Sequence, residues 1–461
     1  AVTTSKAESS PSGEFFLEGL GRRQTLGTQK LFVPWVIESK KTDGAAGPAL
    51  AKVRTDVKGN WMEGRRLFFG QAACFTCHTL RGEGLAFGPD LTNLIHRDRG
   101  SVLQDILHPS ATINPDQFGS VVKMKDGTSL AGIVRSGAGK SVAIGLPGGV
   151  QMEMAQAKVA SIEPMKISLM PEDFSKRLSA EQQEDLLTFL LTAPLEPATI
   201  TRTDPPAPAP RSLREIASLL PQPASAEARA AWKPLRILLS IDKKDHGIDE
   251  HDYPLWLDRW TRLLSLAEKV KVESCEGFPS AGQLANADVT VFYSRNTGWD
   301  LRAAKMLDDY QQRGGGLVYL HWAIEGGKHA QPLADRMGLA FSFSKFRHGD
   351  MDLEFTQPGH PITKRFQKLK LTDESYWNLR GEPNRVSLLA TSVEDQAPQP
   401  QLWTLERGSG RVFGCIPGHY TWTFDDPLYR LLVLRGICWA AKQQDVERLS
   451  ELTLIGARVQ P

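Results

Sequence analysis

Between Ala193 and Pro234 the chain turns rich in proline and alanine, with Pro205-Pro206-Ala207-Pro208-Ala209-Pro210 at its centre. Proline lacks the amide hydrogen that helices and inner strands need, so such a segment favours extended conformations and builds no core of its own. It predicts a linker over residues 194–232, interrupted by one short helix from Ser212 to Leu220. The apolar residues must then be buried in separate bodies on either side. A chain of 461 residues is long enough for two to four domains, taking about 150 residues for each. The net charge of +2 points to no nucleic-acid partner. No stretch reaches the roughly 18 apolar residues of a membrane span.

The N-terminal body carries Cys74-Phe75-Thr76-Cys77-His78, a Cys-x-x-Cys-His motif. Two cysteines at this spacing can each form a thioether to one haem vinyl group, and the adjacent histidine then ligates the iron. A redox dithiol would need a βαβ context, and a zinc site a second ligand pair nearby. Neither is present, and Cys275, Cys415 and Cys438 are distant and isolated, as buried thiols are. One covalent haem c is therefore expected. Such attachment occurs outside the bacterial cytoplasm, so the expected location is periplasmic or otherwise exported. The start at Ala1-Val2-Thr3-Thr4 fits a chain whose signal peptide has been removed.

Around the motif, Trp61 to Phe69 has helical spacing, and Pro89 is placed to shape the loop on the proximal side of the haem. Ser101 to Leu107 reads as a further helix. Phe118 to Ile162 alternates apolar and polar residues between turn signals such as Asp126-Gly127, which predicts a meander of strands. Ser179-Ala180-Glu181-Gln182 is a capping box that opens a last helix. A six-coordinate haem needs a second axial ligand, commonly methionine. Met170, in the loop Ser168-Leu169-Met170-Pro171, is the preferred candidate, with Met152, Met154 and Met165 as competitors.

These features together resemble the planctomycete-type haem-binding domain, a cytochrome c with a β-rich insert. The resemblance is carried by Cys74 to His78, Gly88-Pro89-Asp90-Leu91-Thr92, Ile106-Leu107-His108-Pro109-Ser110, Asp126-Gly127 and Ser168-Leu169-Met170-Pro171, over roughly residues 60–193. It implies His78 and Met170 as axial ligands. The family's Asp-Pro-Ser after its second helix is His108-Pro109-Ser110 here, which leaves the haem ligands untouched.

Residues 233–443 alternate strands and helices. Leu235–Ser240, Val289–Tyr293, Leu317–Leu320 and Arg411–Ile416 read as strands; Tyr253–Ala267, Ala303–Gln312 and Leu428–Ala441 read as helices. This order predicts a parallel sheet with helices on both faces, and such sheets bind ligands at the carboxyl ends of their strands. Seven of the ten histidines fall in this region, several just after predicted strands. His246, His251, His321 and His419 are therefore expected at one rim, as candidate ligands of a divalent metal. His348, Asp350, Glu374 and Asp425 are candidates for the same polar pocket.

This region resembles the ThuA-like (trehalose-utilisation) family. The match runs through His246-Gly247, Glu250-His251-Asp252-Tyr253-Pro254, Gly314 to His321, His360-Pro361-Ile362 and Gly410 to His419. It implies a flavodoxin-like fold related to class I glutamine amidotransferases. Those enzymes carry a nucleophilic cysteine after the strand that ends here at Leu320. His321 stands there instead, so thiolate glutaminase chemistry is not expected.

The expected architecture is thus multi-domain: a mainly α cytochrome c with a β-rich insert at about residues 118–163, then an α/β flavodoxin-like domain. The domains are an N-terminal extension (1–55), the haem domain (56–193), the linker (194–232), the ThuA-like domain (233–443) and a C-terminal tail (444–461). The extension, with Phe15-Phe16-Leu17 and Leu31-Phe32-Val33, is expected to wrap another surface. Three functional readings follow. In the favoured one the haem passes electrons to a redox partner protein, and the ThuA-like domain binds a saccharide, a metal ion or a protein. In the second, a carbohydrate is oxidised in the ThuA-like pocket with the haem as acceptor. In the third, the chain is a non-catalytic subunit of a larger redox complex. Oxidising an alcohol carbon usually needs a hydride acceptor, and no Gly-x-Gly-x-x-Gly fingerprint follows a strand.

Overall fold

The computed structural model describes residues 59–113, 117–137, 139–146, 148–342 and 344–460. The expectation for residues 1–55 lies outside this range. The described residues fall into two compact units, one ending at residue 193 and the other beginning at residue 194. Among the described residues no helix is long and apolar enough to cross a membrane.

In the first unit, α1 (Trp61–Phe69) and α3 (Ala180–Leu191) pack against one another, with α2 (Arg99–Leu107) between them in sequence. Helix α1 starts at Asn60, whose side chain accepts the amide of Glu63; α3 starts at the predicted capping box of Ser179 and Gln182. Trp61 and Phe68 meet Phe189 with ring centroids 5.1 and 5.5 Å apart. Gly64 makes this approach possible: a Cβ there would sit 2.6 Å from the carbonyl carbon of Asp185 and 2.8 Å from Cβ of Phe189. The helices cross at backbone contact because α1 offers no side chain at that point.

The predicted meander is a five-stranded antiparallel sheet of β1 (Ser120–Met124), β2 (Ser129–Ser136), β3 (Ser141–Leu146), β4 (Val150–Ala155) and β5 (Val159–Pro164), in the order β4-β3-β2-β1-β5. Its apolar face buries Val122, Ile133, Val142 and Ile144. The sheet is as large a component as the helices, so "mainly α" does not describe this unit. The alternation that revealed the insert also makes it a sheet with a core face of its own.

The second unit holds a nine-stranded sheet. Five strands are parallel, the four predicted ones and one that was not expected, β7: β6 (Leu235–Ile241), β7 (Val270–Glu276), β8 (Val289–Tyr293), β9 (Gly316–Leu320) and β14 (Gly410–Cys415), in the order β7-β6-β8-β9-β14. Every residue of β8 and β9 is buried, as in a sheet covered on both faces. The covering helices include α4 (Tyr253–Ser265), α5 (Leu301–Gln312) and α6 (Pro427–Ala440). Beyond β14 the sheet continues antiparallel through β13 (Ala397–Arg407), β12 (Ser387–Glu394), β10 (Lys345–Phe355) and β11 (Lys368–Trp377). This extension departs from the all-parallel expectation. It brings the middle of β11 alongside the carboxyl ends of the parallel strands.

The segment 194–232 is not a free linker. Ala198 donates to Asp425 Oδ2 at 2.7 Å, Arg211 pairs with Asp426 at 2.6 Å, and Arg211–Ser212 forms a parallel pair with Val459–Gln460. Proline-rich backbone cannot join a sheet interior, but it lies readily along a surface whose carboxylates accept its remaining amides. The predicted tail 444–461 is likewise built in: Leu449 and Leu452 are buried, and Glu447 pairs with the buried Arg435 at 2.8 Å.

Candidate functional site

In the first unit the motif follows α1 as a single tight turn, with His78 N–H donating to Cys74 O at 2.9 Å. The loop after it folds back beneath: Phe87 and Gly88 both donate to Cys77 O, at 3.0 and 2.6 Å. Nδ1 of His78 lies 2.9 Å from the Pro89 carbonyl, which can only accept. The ring proton is therefore on Nδ1, and Nε2 is left with its lone pair, the form an axial ligand requires. Gly88 must be glycine here, since a Cβ would come within 2.9 Å of Cε1 of His78. Cys74 and Cys77 are free and half-buried, and burial pushes the Cys74 thiol up to about 12. Two unbridged thiols beside a tautomer-locked imidazole fit a covalent haem.

Of the four methionines considered, Met152 and Met154 lie in β4, and the sulfur of Met165 packs over Gly119. Met170 is half-buried in its loop. Its amide donates to Ser168 Oγ at 3.1 Å, and Ser168 N donates to Ser110 Oγ at 3.0 Å. The loop is thus tied to the Pro109-Ser110 turn.

In the second unit, His251, His321, Glu374 and His419 are all buried, and one donor atom from each lies within 4.8 Å of every other. His321 follows β9 and His419 follows β14; Glu374 projects from β11. His251 lies in the loop between β6 and α4, where its amide donates to the carbonyl of His419 at 3.0 Å. Two of the histidines have left-handed backbones, His321 with φ 54° and His251 with φ 40°. Non-glycine residues held there cost of order 1–3 kcal/mol each and concentrate where function fixes a side chain.

The proton positions follow from the partners. His321 Nδ1 is 2.8 Å from Ile416 O, so it carries the hydrogen and Nε2 faces inward with a lone pair. His251 Nδ1 lies 3.1 Å from Asp245 Oδ1, and burial lowers this histidine to about 3, so it too is neutral. Its Nε2 sits 2.9 Å from Nε2 of His321. Two lone pairs facing each other at that distance repel unless a cation, a proton or a metal ion, lies between them. Glu374 Oε2 closes the group, 3.2 Å from His321 Nε2 and 3.0 Å from His419 Nδ1. Burial works against its charge, but the contacts with His321 and His419 outweigh that and hold the carboxyl below its ordinary range. Burial would lower His419 as well, yet Glu374 raises it.

Three of the donors have an outer hydrogen-bond partner, and His419 has an outer carboxylate at ion-pair distance though not in hydrogen-bond geometry. Asp245 backs His251, the Ile416 carbonyl backs His321, Glu250 Oε1 lies 3.3 Å from Nε2 of His419, and Tyr376 donates to Glu374 Oε2 at 2.9 Å. Such outer partners orient imidazole and carboxylate ligands at metal centres. Asp373, buried beside Glu374, accepts from the amides of Gly418 and His419 at 3.0 Å and so sets the His419 loop.

The remaining predicted residues divide. His246 stacks near His251, centroids 3.8 Å apart, and shares Asp245 at 2.8 Å; it borders the cluster. His348 also borders it, 3.5 Å from Glu374 Oε1. Asp350 does not join: it is exposed and paired with Lys370 at 2.8 Å. Asp425 does not join either, because its carboxylate is consumed by Arg259 and Arg430 at 2.7 and 2.8 Å. Both aspartates flank candidate residues in sequence, but each side chain points to a cation elsewhere. The sequence places Asp245, Glu250, Asp373 and Tyr376 beside the candidate residues at the rim but assigns them no positioning role, which the geometry supplies.

A family model for cytochrome c matches residues 61–129, and one for ThuA, described as trehalose utilisation, matches residues 260–440. The chain joins a cytochrome c domain to a ThuA domain. The cytochrome c match includes the whole Cys74–His78 motif and implies haem c, electron transfer and a redox partner. The ThuA match includes His321, Glu374 and His419, while His251 precedes it. Among solved structures, a ThuA-like protein from Parabacteroides merdae is 20% identical with a TM-score of 0.38, covering 45% of this chain and 90% of its own. A ThuA-like protein from Bacteroides uniformis is 16% identical with a TM-score of 0.38, covering 47% and 95%. A cytoplasmic protein from Salmonella typhimurium is 16% identical with a TM-score of 0.32, covering 44% and 98%. No curated protein matches the chain.

Proposed function

We propose that this chain is an exported electron carrier whose ThuA domain holds one divalent metal ion. Cys74 and Cys77 bind a single haem c, with His78 and Met170 as its axial ligands. A haem closed on both sides has no open position for substrate, which suits outer-sphere electron transfer. In the ThuA domain the ligands are His251, His321, His419 and Glu374, and a first-row ion such as zinc suits three imidazoles and a carboxylate. Bound there, such an ion would act as a Lewis acid toward an oxygen-bearing ligand, for which a saccharide is the proposed class.

The observation that carries the metal reading is the pair of inward nitrogens of His251 and His321, 2.9 Å apart, with both outer nitrogens committed to acceptors. The chain's own residues prepare the site: Asp245 and the Ile416 carbonyl fix the tautomers, and Tyr376, held as a neutral phenol by burial, orients the carboxylate of Glu374. Elemental analysis of the purified protein tests both parts. About one iron and one further divalent ion per chain is expected, with the second ion lost in His321→Ala/His419→Ala. Iron alone, after incubation with zinc, manganese, cobalt and nickel salts, would refute the metal site.

A further inference from the structure

The strap from residue 194 to 232 lies outside the ThuA match, yet two of its residues, Thr201 and Arg202, bind the turn that carries His251. Asp249 Oδ2 accepts from the amides of Thr201 and Arg202, both at 2.7 Å, and from Thr201 Oγ1 at 3.2 Å. Asp249 has a left-handed backbone with φ 60°, as has His251, so the turn Asp249-Glu250-His251 is strained at both ends. Without outside ties such a turn relaxes toward ordinary backbone angles. The side chain of Arg202 reaches further. Its Nη1 lies 2.8 Å from Glu250 Oε1, the oxygen that faces Nε2 of His419. Its guanidinium also covers the ring of Tyr420, whose hydroxyl meets His348 Nδ1 at 3.1 Å.

We propose that Thr201 and Arg202 clamp the metal centre, with Arg202 as a positioning residue; the proposal rests on the metal reading above. The backbone of the strap holds Asp249, and with it the turn that presents His251. The Arg202 side chain holds Glu250 against the outer nitrogen of His419, leaving Nδ1 of that ring for the ion. A carboxylate with no such partner is free to turn toward water, and His419 then loses its outer support. The strap is therefore part of the metal site.

The test uses the full-length protein loaded with zinc and measures zinc loss to an excess of chromogenic chelator. Outer-partner substitutions typically weaken metal binding about 10- to 100-fold, so Arg202→Ala should release zinc about tenfold faster than wild type. Arg202→Lys should recover most of the wild-type rate, because a lysine ammonium still reaches Glu250. Adding Arg202→Ala to Glu250→Gln should change nothing further, since both act through the same contact. The urea midpoint of metal-free Arg202→Ala should stay at the wild-type value. Release at the wild-type rate, full multiplication of the two effects, or faster release matched by a lowered midpoint would each overturn the clamp. A wild-type protein that takes up no zinc or other divalent ion would overturn the metal reading and the clamp together.

Discussion

Without a metal ion the ThuA unit should be acid-sensitive well above the range where carboxylates titrate. His251 is fully buried, and burial holds its pKa near about 3, against about 6.5 in an unfolded chain. Below pH 6.5 the unfolded chain takes up a proton that the folded unit refuses. This contribution to stability is complete above about pH 6.5 and is lost as pH falls toward 3. Each pH unit in that window removes about 1.4 kcal/mol, so a drop from pH 7 to 5 removes about 2 kcal/mol through this one group. His419 runs the other way: its raised pKa gives stability that is present in acid and lost as pH rises through its folded value. Asp245, lowered to about 2, and Glu374, also depressed, stabilise above their unfolded pKa values near 4 and change little between pH 5 and 7. Comparing wild type with His251→Gln therefore isolates the term. Urea unfolding followed by tryptophan fluorescence suits the measurement, because nine of the eleven tryptophans lie between residues 232 and 439, in the second unit. The metal-free wild type should lose about 2 kcal/mol more than His251→Gln from pH 7 to 5. Equal slopes for the two proteins would refute the assignment of a neutral, buried His251. Adding zinc at pH 7 should raise the wild-type midpoint and leave that of His251→Gln nearly unmoved.

Three further outcomes are expected. Met170→Ala should convert the reduced haem spectrum to a five-coordinate or water-ligated form and lower the midpoint potential, since a thioether ligand raises it; an unchanged spectrum would move the assignment to another residue. Glu374→Gln, which keeps shape but removes the charge between His321 and His419, should weaken zinc binding at least tenfold by competition titration. Gly64→Ala should destabilise the haem unit by about 3 kcal/mol in thermal unfolding followed at the Soret band, because the added methyl overlaps the Asp185 carbonyl and forces α1 from α3.

Much of the fold was legible because burial imposes a period on sequence. The strands β6, β8, β9 and β14 are apolar runs, and α4 to α6 follow helical spacing, so their existence and their parallel order could be read directly. The antiparallel extension was not legible in the same way. Strand β10 reads Lys345-Phe346-Arg347-His348-Gly349-Asp350, half exposed and polar, and its place in the sheet is decided by pairing with β11 over ten residues. The candidate site divides along the same line. His321 and His419 could be placed because they end parallel strands. Glu374 is brought to them by the extension, and Asp350, two residues beyond His348 on the same strand, is carried to the exposed Lys370 instead.

The strap shows the other limit of composition. Its prolines announce a segment that builds no core of its own, but they do not say whether it hangs free or lies on a surface. What decides that is the acceptors opposite it: Asp249, Asp425 and Asp426 each take a hydrogen bond from residues 198–211. Three carboxylates satisfied by one strap make its docking specific, since freeing it would strip a partner from each. Of the three, Asp249 belongs to the strained turn of His251, two residues before a candidate ligand. A proline-rich segment that looked like a spacer between two domains is thus tied, among other places, to the turn that carries a candidate metal ligand.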